Sequence, residues 1–170
     1  MKDLKIRRLT SGALLLALSL MIPLFLAGTV TVALGPFTAT PASHVPTFLA
    51  MLLGPGAAAM VGFGSAVGFF VKLGPLVGMR AAMHVPVGIL GAYLVKKKTS
   101  FALSLAAVAP VHAILEALIV LPFGFSVQKA GFLVGLGTLV HHGVDAGVAL
   151  LCWGILRQVQ NRSSGSTYQS

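Results

Sequence analysis

The sequence predicts an all-α integral membrane protein with six transmembrane helices, both termini cytoplasmic, and a cavity in the outer half of the bilayer. Three observations carry this. Of 170 residues, 56% are hydrophobic and only 9% charged, whereas soluble domains carry about 25% charged residues. The apolar residues fall in runs long enough to cross a hydrocarbon core, which takes ~20 residues of helix. A six-span threading also places nine of the twelve Lys and Arg residues on one side.

Spans are expected near 10–27, 43–54, 56–73, 75–95, 100–122 and 132–157. The first follows a basic start, as a signal peptide would, but no clear cleavage site succeeds it, so it reads as a retained helix. The second is too short to cross by itself and runs into the Gly54-Pro55-Gly56 break. The segment 28–43 between them is long and uncharged, mixes Thr and Val with Gly35-Pro36-Phe37, and reads as a loop folded over an outer cavity. The third, fourth and sixth spans are rich in glycine. Small residues let helices pack closely in lipid, where no hydrophobic drive acts between them. The chain thus divides into a cytoplasmic N-terminus (1–9), one six-helix membrane domain (10–158) and a polar, Ser-rich tail (159–170) expected to be disordered.

Topology follows from the basic residues. Lys2, Lys5, Arg7 and Arg8 precede the first span, Lys96 to Lys98 lie between the fourth and fifth, and Arg157 and Arg162 follow the sixth. The opposite loops hold Lys72 and Lys129, and Arg80 lies within a span. Retention of Lys and Arg on the cytoplasmic side puts both termini inside. The net charge of +9 does not point to nucleic acid, because the basic residues are scattered among apolar runs. One cysteine excludes a disulfide framework and a Cys-based metal site.

The informative residues are ionisable groups inside spans, each costing at least ~2.5 kcal/mol at the bilayer centre. Arg80 and His84 are four apart on the fourth span, and His112 and Glu116 are four apart on the fifth. On the sixth, His141 and His142 stand four and three residues before Asp145. Each set shares one helical face. At ~1.5 Å rise per residue, Arg80 and Glu116 lie about 8 Å below the outer surface, the histidines about 14 Å and Asp145 about 20 Å. Three neighbouring helices therefore bring their polar groups to the outer half of the membrane. Each pair taken singly can be interhelical glue, but four imidazoles, a guanidinium and two carboxylates together in the outer half of the membrane point to a binding site.

Arginine offers a planar fork of donors that fits a carboxylate and stays charged when buried. Histidines can donate to or stack on a small ring, and Glu116 or Asp145 can accept from a protonated ring nitrogen. A small anionic or zwitterionic organic molecule fits this set. His44, at the start of the second span, reaches the same mouth or caps its helix. No catalytic residue is assigned. A phosphate-binding loop ending in Lys-Ser/Thr, a His-Glu-x-x-His helix and a Gly-x-Ser-x-Gly elbow are all absent from the sequence. No spacing is diagnostic of metal ligands, so neither a metal nor another cofactor is assigned.

Taken together, six spans in under 200 residues, cytoplasmic termini and an outer site closed by the first outer loop resemble the substrate-binding S components of energy-coupling factor (ECF) vitamin transporters. Those carry an Ala-x-x-x-Ala motif on the first helix, matched here by Ala13 and Ala17. The segments Gly35–Pro46 and Arg80–Pro86 look most like the niacin branch. The resemblance covers roughly 8–158. It implies a multi-pass cell-membrane protein that is not an enzyme and binds a niacin-like carboxylate. The partners implied are the ECF transmembrane coupling subunit and two ATPase subunits, with no nucleic acid.

Carried over residue by residue, Arg80 clamps the carboxylate, His84, His141 or His142 line the ring, and Glu116 or Asp145 orients them or meets the ring nitrogen. His112, His44 and Phe37 complete the expected site, while Ala13 and Ala17 contact the coupling subunit. The competing reading is a stand-alone proton-coupled carrier of a small organic anion, in which the carboxylates and histidines relay protons.

Overall fold

A computed structural model describes residues 2–166 of the chain. In chain order the elements are α1 (Lys2–Met21), β1 (Val32–Leu34), β2 (Phe37–Ala39), α2 (Val45–Met51), α3 (Pro55–Leu73), α4 (Pro75–Ala82), α5 (His84–Lys96), α6 (Phe101–Ile119), α7 (Val127–Lys129) and α8 (Leu136–Ser166). Wide π turns at Ile22–Leu26 and Ala130–Gly135 continue α1 and lead into α8.

Five of the six expected spans are helical segments long and apolar enough to cross a bilayer: Lys5–Leu26, Pro55–Leu73, Pro75–Lys96, Phe101–Phe123 and Val127–Val159. Their outward surface is apolar, with Leu14, Phe63, Val71, Val140 and Leu151 each more than 60% exposed. Water would penalise such a surface, whereas acyl chains accept it.

The second expected span is not a full helix. Only Val45–Met51 is helical, about 10 Å at the usual rise, and all but one of its seven residues are buried. The chain ahead of it, from Thr40 to His44, is non-helical and largely buried as well. Irregular backbone is tolerated at membrane depth where protein rather than lipid surrounds it.

Prolines set the other breaks. Pro46, Pro55 and Pro75 lie in the first turns of α2, α3 and α4, where the missing N–H costs nothing. Pro86 cannot donate to the carbonyl of Ala82, and its ring crowds that carbonyl. The fourth span accordingly divides there into α4 and α5, with His84 the first residue after the joint. Gly62 on α3 lets that joint approach, since a Cβ at this position would meet the backbone carbonyl carbon of His84 at 2.9 Å. Gly54 (φ +116°) and Gly74 (φ +86°) make the turns before α3 and α4.

The segment 28–43 forms a two-stranded antiparallel hairpin with Leu34 opposite Phe37. Gly35, with φ +57°, and Pro36 make the two-residue turn, which favours glycine first. The hairpin exposes Val32 and Leu34 and buries Phe37. At the C-terminus, α8 runs on to Ser166, whereas the polar tail 159–170 was expected to lack order from residue 159. Residues 167–170 of that expectation lie outside those described.

The main core lies between α2, α3, α5, α6 and α8, around Phe48, Met51, Val61, Val87, Leu105 and Val108. A smaller cluster seats Phe37 of the hairpin against Val120, Ala130 and Val134. Between these two apolar masses lies the polar site.

Candidate functional site

Arg80 leaves α4 buried, 4% exposed, and all five of its N–H donors are used. Nε donates to Glu116 Oε2 at 3.0 Å, and Nη2 donates to the same oxygen. Nη1 donates to the Pro36 carbonyl at 3.2 Å and to Thr38 Oγ1 at 2.9 Å, and Nη2 reaches the Thr38 carbonyl at 3.3 Å. The Phe37 ring lies 5.4 Å from the guanidinium carbon, within the range of a cation–π contact. Removing two charges from water is expensive and is offset only when every remaining donor and lone pair is satisfied. Here the guanidinium meets that condition by binding the turn of the hairpin. One side chain thus couples α4, α6 and the loop.

Glu116 is the other half of this knot. Its Oε2 also accepts from Thr138 Oγ1 at 2.8 Å, and its Oε1 faces His112 Nε2 at 3.1 Å and His84 Nε2 at 4.0 Å. His112 Nδ1 lies 3.0 Å from His142 Nδ1, and His142 Nε2 lies 3.0 Å from the Leu105 carbonyl. His84 Nδ1 pairs with Ser65 Oγ at 3.0 Å.

Asp145 organises the second half of the site. Its carboxylate is fully buried and accepts from the backbone N–H of Ala42 at 2.9 Å and of His44 at 3.0 Å. It also meets His44 Nδ1 at 2.9 Å and His141 Nε2 at 3.3 Å. These two N–H groups sit where the chain turns into α2, so Asp145 caps that helix from 100 residues away in place of a local Ser or Asp. Ala42 has φ +64°, a left-handed conformation that costs an alanine ~1–2 kcal/mol. The bond from Asp145 offsets that cost.

His44 stands at the hub. Its ring centroid lies 4.6 Å from that of His84, 4.8 Å from His112 and 4.4 Å from His141. The void bordered by Arg80, His44, His84, Glu116, His141 and Thr40 measures 20 Å³, and one water needs about 10–15 Å³. The side chains are therefore in mutual contact around a water-sized gap. Between the hairpin and α8 a wider apolar groove of 390 Å³ runs from Val32 and Phe37 to His141 and Asp145.

The structure thus brings together every binding residue expected from the sequence: Arg80, His84, His112, Glu116, His141, His142, Asp145, His44 and Phe37. All point into the protein, not towards lipid. Ala13 and Ala17 lie apart, exposed on α1 beside Leu14 and Leu18. The sequence reading missed Thr38, Ser65 and Thr138, which hold Arg80, His84 and Glu116. Thr138 carried a signal, since it precedes His142 by four residues and shares its helical face. Gly137 carried another. A Cβ there would meet the Phe37 ring at 2.7 Å, so this glycine gives the hairpin its seat.

No protein-family model matches the chain, and no solved structure matches it. Over 166 residues it is 35% identical to the niacin transporter NiaX of Lactococcus lactis subsp. cremoris (strain MG1363), a match spanning 88% of this chain and 74% of that protein. With five apolar helices able to cross a bilayer, this similarity identifies a multi-pass transport protein of the cell membrane rather than an enzyme. The chain belongs to the niacin-branch S components of energy-coupling factor transporters.

Proposed function

We propose that the protein is the high-affinity binding subunit for uptake of niacin, working with a separate ATP-driven coupling module, with both termini cytoplasmic and the site in the outer half of the bilayer. The observation that carries this is the buried Arg80, whose five donors are divided between Glu116 and the tip of the hairpin. A carboxylate competes for that fork on equal chemical terms with the Pro36 and Thr38 oxygens, and it brings the charge they lack. The imidazoles of His44, His84 and His141 then face the ring. The name of the similar Lactococcus protein supports the choice of niacin, and the distribution of Lys and Arg supports the orientation.

A pyridine carboxylate needs several times the present 20 Å³ gap. Entry therefore requires the hairpin to lift, releasing Arg80 and drawing Phe37 off Gly137. Its strands have three residues each, which confers little stability of their own. The positive φ of Gly28 and Ala42 marks the two ends of the mobile piece. The hairpin closes over bound vitamin, and the toppling expected of this family releases it inside.

Ala13 and Ala17 form the surface where the coupling subunit's helix approaches, since neither extends beyond Cβ. Replacing both by leucine is expected to abolish ATP-dependent uptake in liposomes containing the whole complex while leaving vitamin binding by the isolated subunit intact. Persistent uptake in that variant contradicts the contact. The chain of ring nitrogens from Leu105 through His142 and His112 to Glu116 also suits a stand-alone proton-coupled carrier. Uptake by the isolated subunit, driven by a pH gradient without ATPase partners, would decide for that reading.

A further inference from the structure

His44, His84, His112 and Glu116 come from the start of α2, α5 and α6, and one ligand-type atom of each lies within 4.8 Å of the others. Their outward-facing nitrogens are already engaged, and by groups that fix the protons. The Asp145 carboxylate can only accept, so His44 Nδ1 carries the hydrogen and His44 Nε2 is left a lone pair. The Leu105 carbonyl can only accept, so His142 donates through Nε2 and, in its neutral form, accepts at Nδ1. His112 then donates through Nδ1 and, when it too is neutral, keeps a lone pair at Nε2. His84 falls into the same state when Nδ1 donates to Ser65 Oγ.

The lone pair of His112 and the potential one of His84 therefore face Glu116 Oε1, and His44 offers a ligand-type atom within 4.8 Å of theirs. The His112 nitrogen is 3.1 Å from Oε1 and the His84 nitrogen 4.0 Å. Acceptors facing an acceptor repel unless a positive charge lies among them. Metal-binding histidines are commonly oriented by a partner on the far ring nitrogen, and here those partners are the Asp145 carboxylate for His44, the Ser65 hydroxyl for His84 and the His142 ring for His112.

We propose that His44, His84 and His112, each through Nε2, and Glu116 through Oε1 bind a divalent transition-metal ion of the zinc type. Three nitrogens and one oxygen suit zinc, cobalt or nickel, while calcium and magnesium take oxygen-only sets. Asp145, Ser65 and His142 are the positioning residues, holding the far nitrogens. Glu116 serves both charges, Oε1 for the metal and Oε2 for Arg80. With the ion in place, the doubly charged metal and Arg80 outweigh Glu116 and Asp145, and the site is short of negative charge. A donor atom of the anionic vitamin completes the coordination. That extension rests on the reading under Proposed function, whereas the metal site does not.

The test uses tag-free, detergent-solubilised protein stripped with chelator, titrated with Co²⁺ and followed by its visible absorption, with metal content measured after zinc loading. One ion per chain is expected, with the intense cobalt bands of a four- or five-coordinate site, bleached by added Zn²⁺. His84→Ala is expected to abolish those bands. Ser65→Ala, a smaller change that spares the ligands, is expected to weaken metal affinity about 10–100-fold, as losses of supporting hydrogen bonds do. Folded wild-type protein that takes up neither ion, or uptake unchanged in both variants, overturns the site. Niacin calorimetry on stripped and loaded protein separates the two readings. At least tenfold tighter binding to the loaded form supports the vitamin's place on the metal, and equal affinity overturns that place while the ion site stands. Tight niacin binding by protein that takes up no metal overturns the metal site and leaves the transport reading intact.

Discussion

Arg80→Ala is expected to lose niacin binding by roughly 10–150-fold. Hydrogen bonds to a charged group contribute ~1.5–3 kcal/mol, and each 1.4 kcal/mol is a factor of ten in affinity. Calorimetry on the purified variant reads this directly. The substitution also strands Glu116 among apolar and imidazole neighbours, and breaking a buried ion pair on one side costs about 3–5 kcal/mol of stability. Arg80→Ala combined with Glu116→Gln removes both charges, so it recovers stability without recovering affinity. Arg80→Lys keeps the charge but not the fork, and it should fall between wild type and alanine. Full affinity in the double variant removes Arg80 from the account.

Asp145→Ala is expected to be strongly destabilising. It deprives the backbone N–H groups of Ala42 and His44 and the ring N–H of His44 of their acceptor. Each orphaned buried donor costs ~1–3 kcal/mol, so the loss is at least about 3 kcal/mol. At ~2–4 °C per kcal/mol for a chain of this size, the unfolding temperature falls by at least about 6 °C. The single tryptophan, Trp153, lies on α8 and serves as the fluorescence reporter. Asp145→Asn keeps one acceptor oxygen and should recover part of the loss. An unchanged transition in the alanine variant would show that α2 does not depend on this carboxylate.

Much of this was legible because a membrane restricts what a sequence can mean. Apolar runs of ~20 residues have one use, and charged residues inside them are costly enough to need a purpose. The four-residue spacing of His112 with Glu116 puts that pair on one face of α6 without any knowledge of tertiary structure, whereas Arg80 and His84 fall on α4 and α5. The fourth span was expected as one helix over 75–95; the break ahead of Pro86, with His84 opening the second half, was not read from the sequence.

The illegible parts are contacts between distant segments. Nothing local marks Asp145 as the cap of a helix that starts 100 residues earlier. The short strands around Gly35-Pro36 lack the alternation that identifies a strand over 4–8 residues. Thr38 and Ser65 look like any hydroxyl in a membrane protein, because such side chains usually satisfy themselves on nearby backbone. The four residues proposed to hold a metal come from three separate elements, so no spacing along the chain could announce them.

The central claim is that a buried guanidinium, backed by imidazoles, selects a small aromatic acid. Calorimetry of the wild-type protein against niacin and nicotinamide tests it most directly, because the amide keeps the ring and loses the charge. The account predicts niacin binding with nicotinamide weaker by about 100-fold, near the upper range for one charge-assisted contact. Equal affinity for acid and amide, or no binding of either by folded protein, would contradict it.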